Sequence, residues 1–206
     1  MTLQLLSHPY NDDFGVFGPG PFIEQHYRLG GIHNGNTELP ICVLLYALAL
    51  ANDAKIIVET GTNNGAGATL WLAFAASIQP GGHFHGIDID TAATERASQV
   101  CKEILPTAHC TFCKADAIVG LPKLFQPKTI DFLFVDDDHR RAHVEEEIKV
   151  FLPLMRSGGL MLFHDVIGVH EGEVWEAIKP YGGMRIVDTF HSPGCNFGGL
   201  GVIKVP

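Results

Sequence analysis

From Glu38 onward the chain switches between two hydrophobic rhythms, short apolar runs and longer amphipathic stretches. Residues 39–52 are rich in Leu and Ala and predict a buried helix, opened by Thr37 as N-cap with Pro40 in its first turn. Residues 55–59 form an apolar, β-branched run ending in an acid, and 65–77 have helical composition. Further strands are predicted over 83–88, 108–114 and 130–135, with an amphipathic helix over 91–105. The 130–135 run is apolar on both faces, as a central parallel strand requires. A helix over 143–154, a turn at Ser157-Gly158-Gly159, a strand over 160–163 and a short helix over 174–179 follow. Two last strands, 185–190 and 201–205, are joined by a Gly-rich loop too short for a helical crossover.

This order predicts an α/β fold: a Rossmann-like, doubly wound seven-stranded sheet, mostly parallel, closed by a C-terminal antiparallel hairpin. Parallel neighbours need right-handed crossovers, and only the last pair lacks one. Residues 1–36, dense in Gly and Pro, read as an irregular arm or lid with one short helix near 22–27, leaving 37–206 as the domain.

Composition narrows the function. The chain has 206 residues, 46% hydrophobic and 18% charged, enough for one well-filled core. No apolar run reaches the roughly 18 residues of a membrane span, and the N-terminus lacks a signal-peptide pattern, so a cytoplasmic location is expected. The net charge of −9, with Arg140-Arg141 as the one adjacent basic pair, argues against a nucleic-acid partner. It suits a metal cation or a neutral or cationic small molecule. Of five cysteines, Cys110 and Cys113 have the spacing of half a zinc knuckle, but no second close pair accompanies them, so ordinary thiols are expected.

Five stretches carry candidate chemistry. The loop Glu59-Thr60-Gly61-Thr62-Asn63-Asn64-Gly65 follows the first strand. Its glycines permit close backbone approach to a ligand, but their spacing is not that of a pyrophosphate loop, and Glu59 favours a cation. Asp88 ends the second strand, where an acid accepts bonds from ribose hydroxyls, with Asp90 placed to cap the next helix. Asp116, after the third strand, is placed either to meet an adenine or to cap a helix. Asp136-Asp137-Asp138-His139 emerges from the fourth strand, and adjacent carboxylates repel unless they meet a cation. His164-Asp165 ends the fifth.

Together, Glu59-Thr60-Gly61-xxx-Gly65, Asp88, Asp136-x-x-His139 and His164-Asp165 resemble the class I S-adenosylmethionine-dependent methyltransferases. The resemblance is closest to the group of catechol O-methyltransferase, macrocin-type O-methyltransferases and cephalosporin hydroxylase-like proteins, and runs from about Glu38 to Val205. It implies S-adenosylmethionine as cofactor, bordered by Glu59, Gly61, Thr62 and Gly65, with Asp88 on the ribose and Asp116 and Asp136 completing the site. It also implies a divalent cation such as Mg2+ on Asp136 and Asp165. Metal-dependent members carry a further Asp or Asn where this chain has Val166, a gap that Asp138, His139 or His164 would have to fill.

The expected reaction is methylation of a small-molecule hydroxyl. Its proton leaves either through a metal that lowers its pKa or directly to a histidine, His139 first and His164 second. The arm and the loop 168–173 are the candidate lid, and Phe14, Phe17 and Phe22 offer an apolar surface for a homodimer. A non-catalytic adenosyl-binding protein and an NAD-dependent oxidoreductase are the alternatives. Retention of acids and histidines in the cleft argues against the first, and the glycine spacing and terminal hairpin against the second.

Overall fold

The computed structural model describes residues 37–167, 171–186 and 198–206. The expected arm, its short helix and its three phenylalanines lie outside them, as do residues 168–170 of the proposed lid loop and residues 187–190 of the sixth predicted strand; residues 171–173 of that loop open a helix instead. Among the described residues, seven strands form one sheet: β1 (Ile56–Thr60), β2 (His83–Asp88), β3 (Cys110–Lys114), β4 (Ile130–Val135), β5 (Met155–His164), β6 (Met184–Ile186) and β7 (Leu200–Lys204). Their spatial order is β3-β2-β1-β4-β5-β7-β6. The first five run parallel, and β7 pairs antiparallel with both β5 and β6. The terminal hairpin is therefore folded so that the last strand lies inside the sheet and β6 takes the edge.

Among the described residues, six α-helices pack on the two faces: α1 (Leu39–Ala51), α2 (Ala68–Ile78), α3 (Thr91–Ile104), α4 (Ala117–Leu124), α5 (Arg141–Phe151) and α6 (Glu171–Ile178). Side chains alternate across β4, so Phe132 and Phe134 join the core under α1 and α2, while Leu133 and Val135 join the core under α5 and α6. All four are buried, as a central parallel strand demands. The same alternation separates Cys110 from Cys113. They pack against opposite cores and cannot close on one ion, in keeping with ordinary thiols.

Several boundaries differ from expectation for local reasons. Glu38, not Thr37, is the N-cap of α1, with no side-chain cap bond. The Thr37 hydroxyl instead donates to Asp136 Oδ2 at 3.0 Å. The helix that Asp116 was placed to cap is α4, whose span the sequence does not mark because Gly120 and Pro122 lie in it, two residues that usually mark loops. Asp116 caps it, accepting from the Val119 N–H at 3.4 Å. The expected turn at 157–159 is an irregularity within one long strand, where the β4–β5 register shifts and Gly158 takes φ +74°.

The end of the sheet opposite the site is clamped. Asp131 Oδ2 accepts from the N–H groups of Lys55 and Ile56 at 2.9 and 2.7 Å. The Arg156 guanidinium donates to Asp131 and, at 2.7 Å, to the Asn52 carbonyl. Strand order reverses between β1 and β4, so the carboxyl ends of these strands form the crevice where doubly wound sheets hold ligands. Among the described residues no helix is long and apolar enough to cross a membrane.

Candidate functional site

A cavity of about 1070 Å3 opens at that crevice, lined by the loops after β1, β2, β3, β4 and β5. Gly61 explains how two of the loops meet. Its φ is +78°, and a Cβ there would fall 2.2 Å from the Asp136 carbonyl oxygen, so only glycine lets the β1 loop lie against the β4 loop. Gly65 also has φ +78°, but its missing Cβ would meet the Cα of Ala97 at 2.6 Å. It is not among the cavity-lining residues. Its missing side chain lets the loop pack closely on α3.

Glu59, Thr62, Asp88 and Asp116 all line the cavity. The Asp88 carboxylate is held in place by the Asn63 N–H on Oδ2 at 2.9 Å and the Asp90 N–H on Oδ1 at 2.8 Å. A carboxylate oxygen has a second lone pair, so both can still accept from a ligand. Asp90 caps α3, accepting from the Ala93 N–H at 2.8 Å. Glu59 is 2% exposed. Its Oε2 and the Thr62 hydroxyl are buried without a hydrogen-bond partner. Burial pushes the Glu59 carboxyl well above its usual value, and the negative charges of Asp136 and Asp88 add to the shift. Native structures rarely leave such groups orphaned unless a ligand completes them.

The second half of the site is a network of carboxylates and imidazoles. His164 is 8% exposed. Its Nε2 lies 2.7 Å from Glu38 Oε2 and its Nδ1 lies 3.0 Å from Asp136 Oδ1. Two carboxylates facing both nitrogens require two N–H donors, which only the imidazolium has. Burial alone would lower its pKa, but Asp136, Glu38 and Asp165 raise it well above the usual value. As an imidazolium, His164 has no lone pair with which to accept a proton. Burial alone would likewise raise Asp136, yet His164 and His139 bring it down to about 2. His139 Nε2 sits 3.5 Å from Asp136 Oδ1 and 3.2 Å from Asp165 Oδ2. Burial would lower its pKa, and these two acids raise it.

These residues do not fit a hard divalent cation. Asp136 spends Oδ1 on the imidazoles and Oδ2 on Thr37. Asp165 faces His139 and His164, and Val166 is buried and apolar. Asp138 is turned away to Arg140, whose Nε donates to both its oxygens at 2.9 Å. Asp136, His139 and His164 do bring ligand atoms within 4.8 Å of one another. That set offers one oxygen and two nitrogens, where Mg2+ seeks oxygens. The His164 imidazolium supplies the positive charge between the acids.

Sequence reasoning missed Thr37 and Glu38 as members of the site. They stand 99 and 126 residues from their partners Asp136 and His164, so no local spacing links them. The available signal was Glu38 itself, an acid directly before an unbroken apolar helix.

The family model for a methyltransferase domain matches residues 58–166, from the middle of β1 to just past Asp165. This chain belongs to the methyltransferase domain family. Solved structures agree on the fold of this methyltransferase. The O-methyltransferase TomG from Streptomyces achromogenes, involved in tomaymycin synthesis and solved with SAM, is 20% identical. The alignment covers 94% of this chain and 90% of TomG, with a TM-score of 0.67. An O-methyltransferase from Bacillus cereus in complex with SAH is 14% identical, covering 98% and 100% of the two chains with a TM-score of 0.71. No curated protein matches.

Proposed function

We propose that this methyltransferase moves a methyl group from S-adenosylmethionine to a hydroxyl of a small molecule, with His139 as the base. The observation that carries this reading is the pairing, in one cavity, of a buried Glu59 carboxyl with one unpaired oxygen and a histidine flanked by two acids. The structural neighbours point the same way: one is an O-methyltransferase solved with SAM, another with SAH.

The cavity suits the cofactor. Glu59 offers a carboxylate to the ammonium group, and Thr62 a hydroxyl beside it. Asp88, fixed by two backbone N–H groups, accepts from the ribose hydroxyls. Asp116 lies on the wall toward the adenine, although its carboxylate also caps α4. S-adenosylmethionine supplies an electrophilic methyl group on a sulfonium. In the transfer the acceptor oxygen forms the new C–O bond, and the broken C–S bond leaves its electron pair on sulfur.

His139 takes the hydroxyl proton. Its Nε2 faces Asp136 and Asp165, so that nitrogen keeps its hydrogen and Nδ1 is the proton acceptor. The two carboxylates orient the ring and stabilise the imidazolium that forms. His164 is a positioning residue: it bridges Asp136 to Glu38 and so ties the catalytic loop to α1. Alignment of acceptor and methyl group in a site shielded from water supplies much of the remaining rate. The four free cysteines among the described residues are compatible with the cytoplasm, where thiols stay reduced.

Calorimetric titration with S-adenosylmethionine, S-adenosylhomocysteine and NAD tests the cofactor, and a panel of hydroxyl compounds then tests the acceptor. Binding of both adenosyl compounds without NAD is expected. Absence of adenosyl binding would defeat the reading, and NAD binding in its place would make the protein an oxidoreductase.

A further inference from the structure

Behind one wall of the cavity stands a group of side chains that the proposed reaction does not use. Asp137 follows β4, while His143 and Glu147 are at i and i+4 on α5 and so share one face of the helix. One ligand atom from each lies within 4.8 Å of the others. The Glu147 side chain is 0% exposed, and both its carboxylate oxygens lack a hydrogen-bond partner. His143 Nε2 is 3.8 Å from Oε1, too far for a hydrogen bond. A buried carboxyl with neither oxygen bonded is costly to the fold unless something completes it.

We propose that Asp137, His143 and Glu147 bind a first-row transition dication such as Mn2+ or Zn2+. One imidazole and two carboxylates form a borderline donor set, suited to these ions rather than to Mg2+ or Ca2+. Metal–ligand bonds of about 2.0–2.2 Å require the three atoms to draw together, which rotation of the side chains supplies. Asp137 and His143 also line the cavity, so the open coordination positions face it. The ion would pin the loop that carries His139 to α5 and offset the negative charge of that wall. It is separate from any cation on Asp136 and Asp165.

The competing account is a shared proton. Burial, with Asp137 beside it, pushes the Glu147 carboxyl up to about 10, and a protonated pair would leave no site for a metal. Direct metal binding to the full chain decides between the two. The protein is stripped with a chelator and titrated separately with Mn2+, Zn2+ and Mg2+, by calorimetry and by the Mn2+ paramagnetic resonance signal. One Mn2+ or Zn2+ per chain is expected, bound more tightly than Mg2+. Glu147→Gln should weaken binding by more than about 100-fold, since loss of an outer partner alone costs about 10–100-fold. Asp165→Asn, in the other network, should leave it unchanged. Circular dichroism checks the fold of each variant, and His143→Gln serves if Glu147→Gln does not fold. The proposal is overturned if neither ion binds, if Mg2+ binds as tightly, or if binding survives substitution of Glu147 or, where that variant does not fold, of His143.

Discussion

Glu59→Gln should move stability and cofactor affinity in opposite directions. The carboxyl is 2% exposed, and Oε2 has no hydrogen-bond partner. Its folded pKa is raised by burial, with Asp136 and Asp88 adding to the shift. A raised acid binds more protons in the folded than in the unfolded state. Stability of the ligand-free protein therefore falls as pH rises from the ordinary Glu value through the folded one. The slope from this residue is about 1.4 kcal/mol per pH unit in that window. Glutamine removes the contribution, so the variant should unfold at higher temperature at neutral pH and show a flatter pH profile. Each kcal/mol is worth about 2–4 °C for a chain of this size. Binding should respond the other way. A hydrogen bond to a charged group contributes about 1.5–3 kcal/mol, so S-adenosylmethionine should bind about 10- to 150-fold more weakly. Differential scanning calorimetry from pH 5 to 8 and isothermal titration supply the two readouts. Unchanged cofactor affinity, or a less stable ligand-free variant at neutral pH, would refute the assignment of Glu59 to a cationic ligand.

His139→Ala should lower turnover by about 10²- to 10⁴-fold, the range for loss of a general base, with cofactor affinity within a few-fold by titration. Full activity would remove His139 from the mechanism. Breaking the buried cluster with His164→Ala leaves Glu38 and Asp136 facing each other uncompensated and should cost about 3–5 kcal/mol in urea unfolding. Because the His164 pKa is raised, its stabilising contribution is complete at acid pH and is lost as pH rises through the folded value. The difference between wild type and variant should therefore shrink in alkali, and a constant difference would contradict the imidazolium assignment. Gly61→Ala should prevent the β1 and β4 loops from meeting, since its Cβ would lie 2.2 Å from a backbone oxygen. Titration should show loss of adenosyl binding, and a variant that binds as wild type would show the approach is dispensable. Asp131→Ala should destabilise the sheet by about 1–3 kcal/mol through the amides it leaves unpaired. Cofactor affinity should hold, because the clamp is at the far end of β1 and β4.

The division between what was legible in the sequence and what was not follows the range of each interaction. Strand β4 begins and ends where its apolar run does, since burial on both faces leaves a near-continuous hydrophobic pattern. The extent of helix α4 was illegible because Gly120 and Pro122 interrupt its short apolar periodicity, although Asp116 marked a place where a helix could begin. At the site, every candidate directly after a strand was visible, because strand ends in a doubly wound sheet converge on one crevice. What the sequence could not carry was how those groups use their lone pairs. His139 and His164 look equivalent as written, a histidine next to aspartates in each case. Glu38, delivered by α1 from 126 residues away, makes them different. It faces the second nitrogen of His164 and favours that ring as a cation, in keeping with the proposal that His139 moves the proton. The same contact accounts for a buried acid at the mouth of an apolar helix, a position that helix capping alone does not explain.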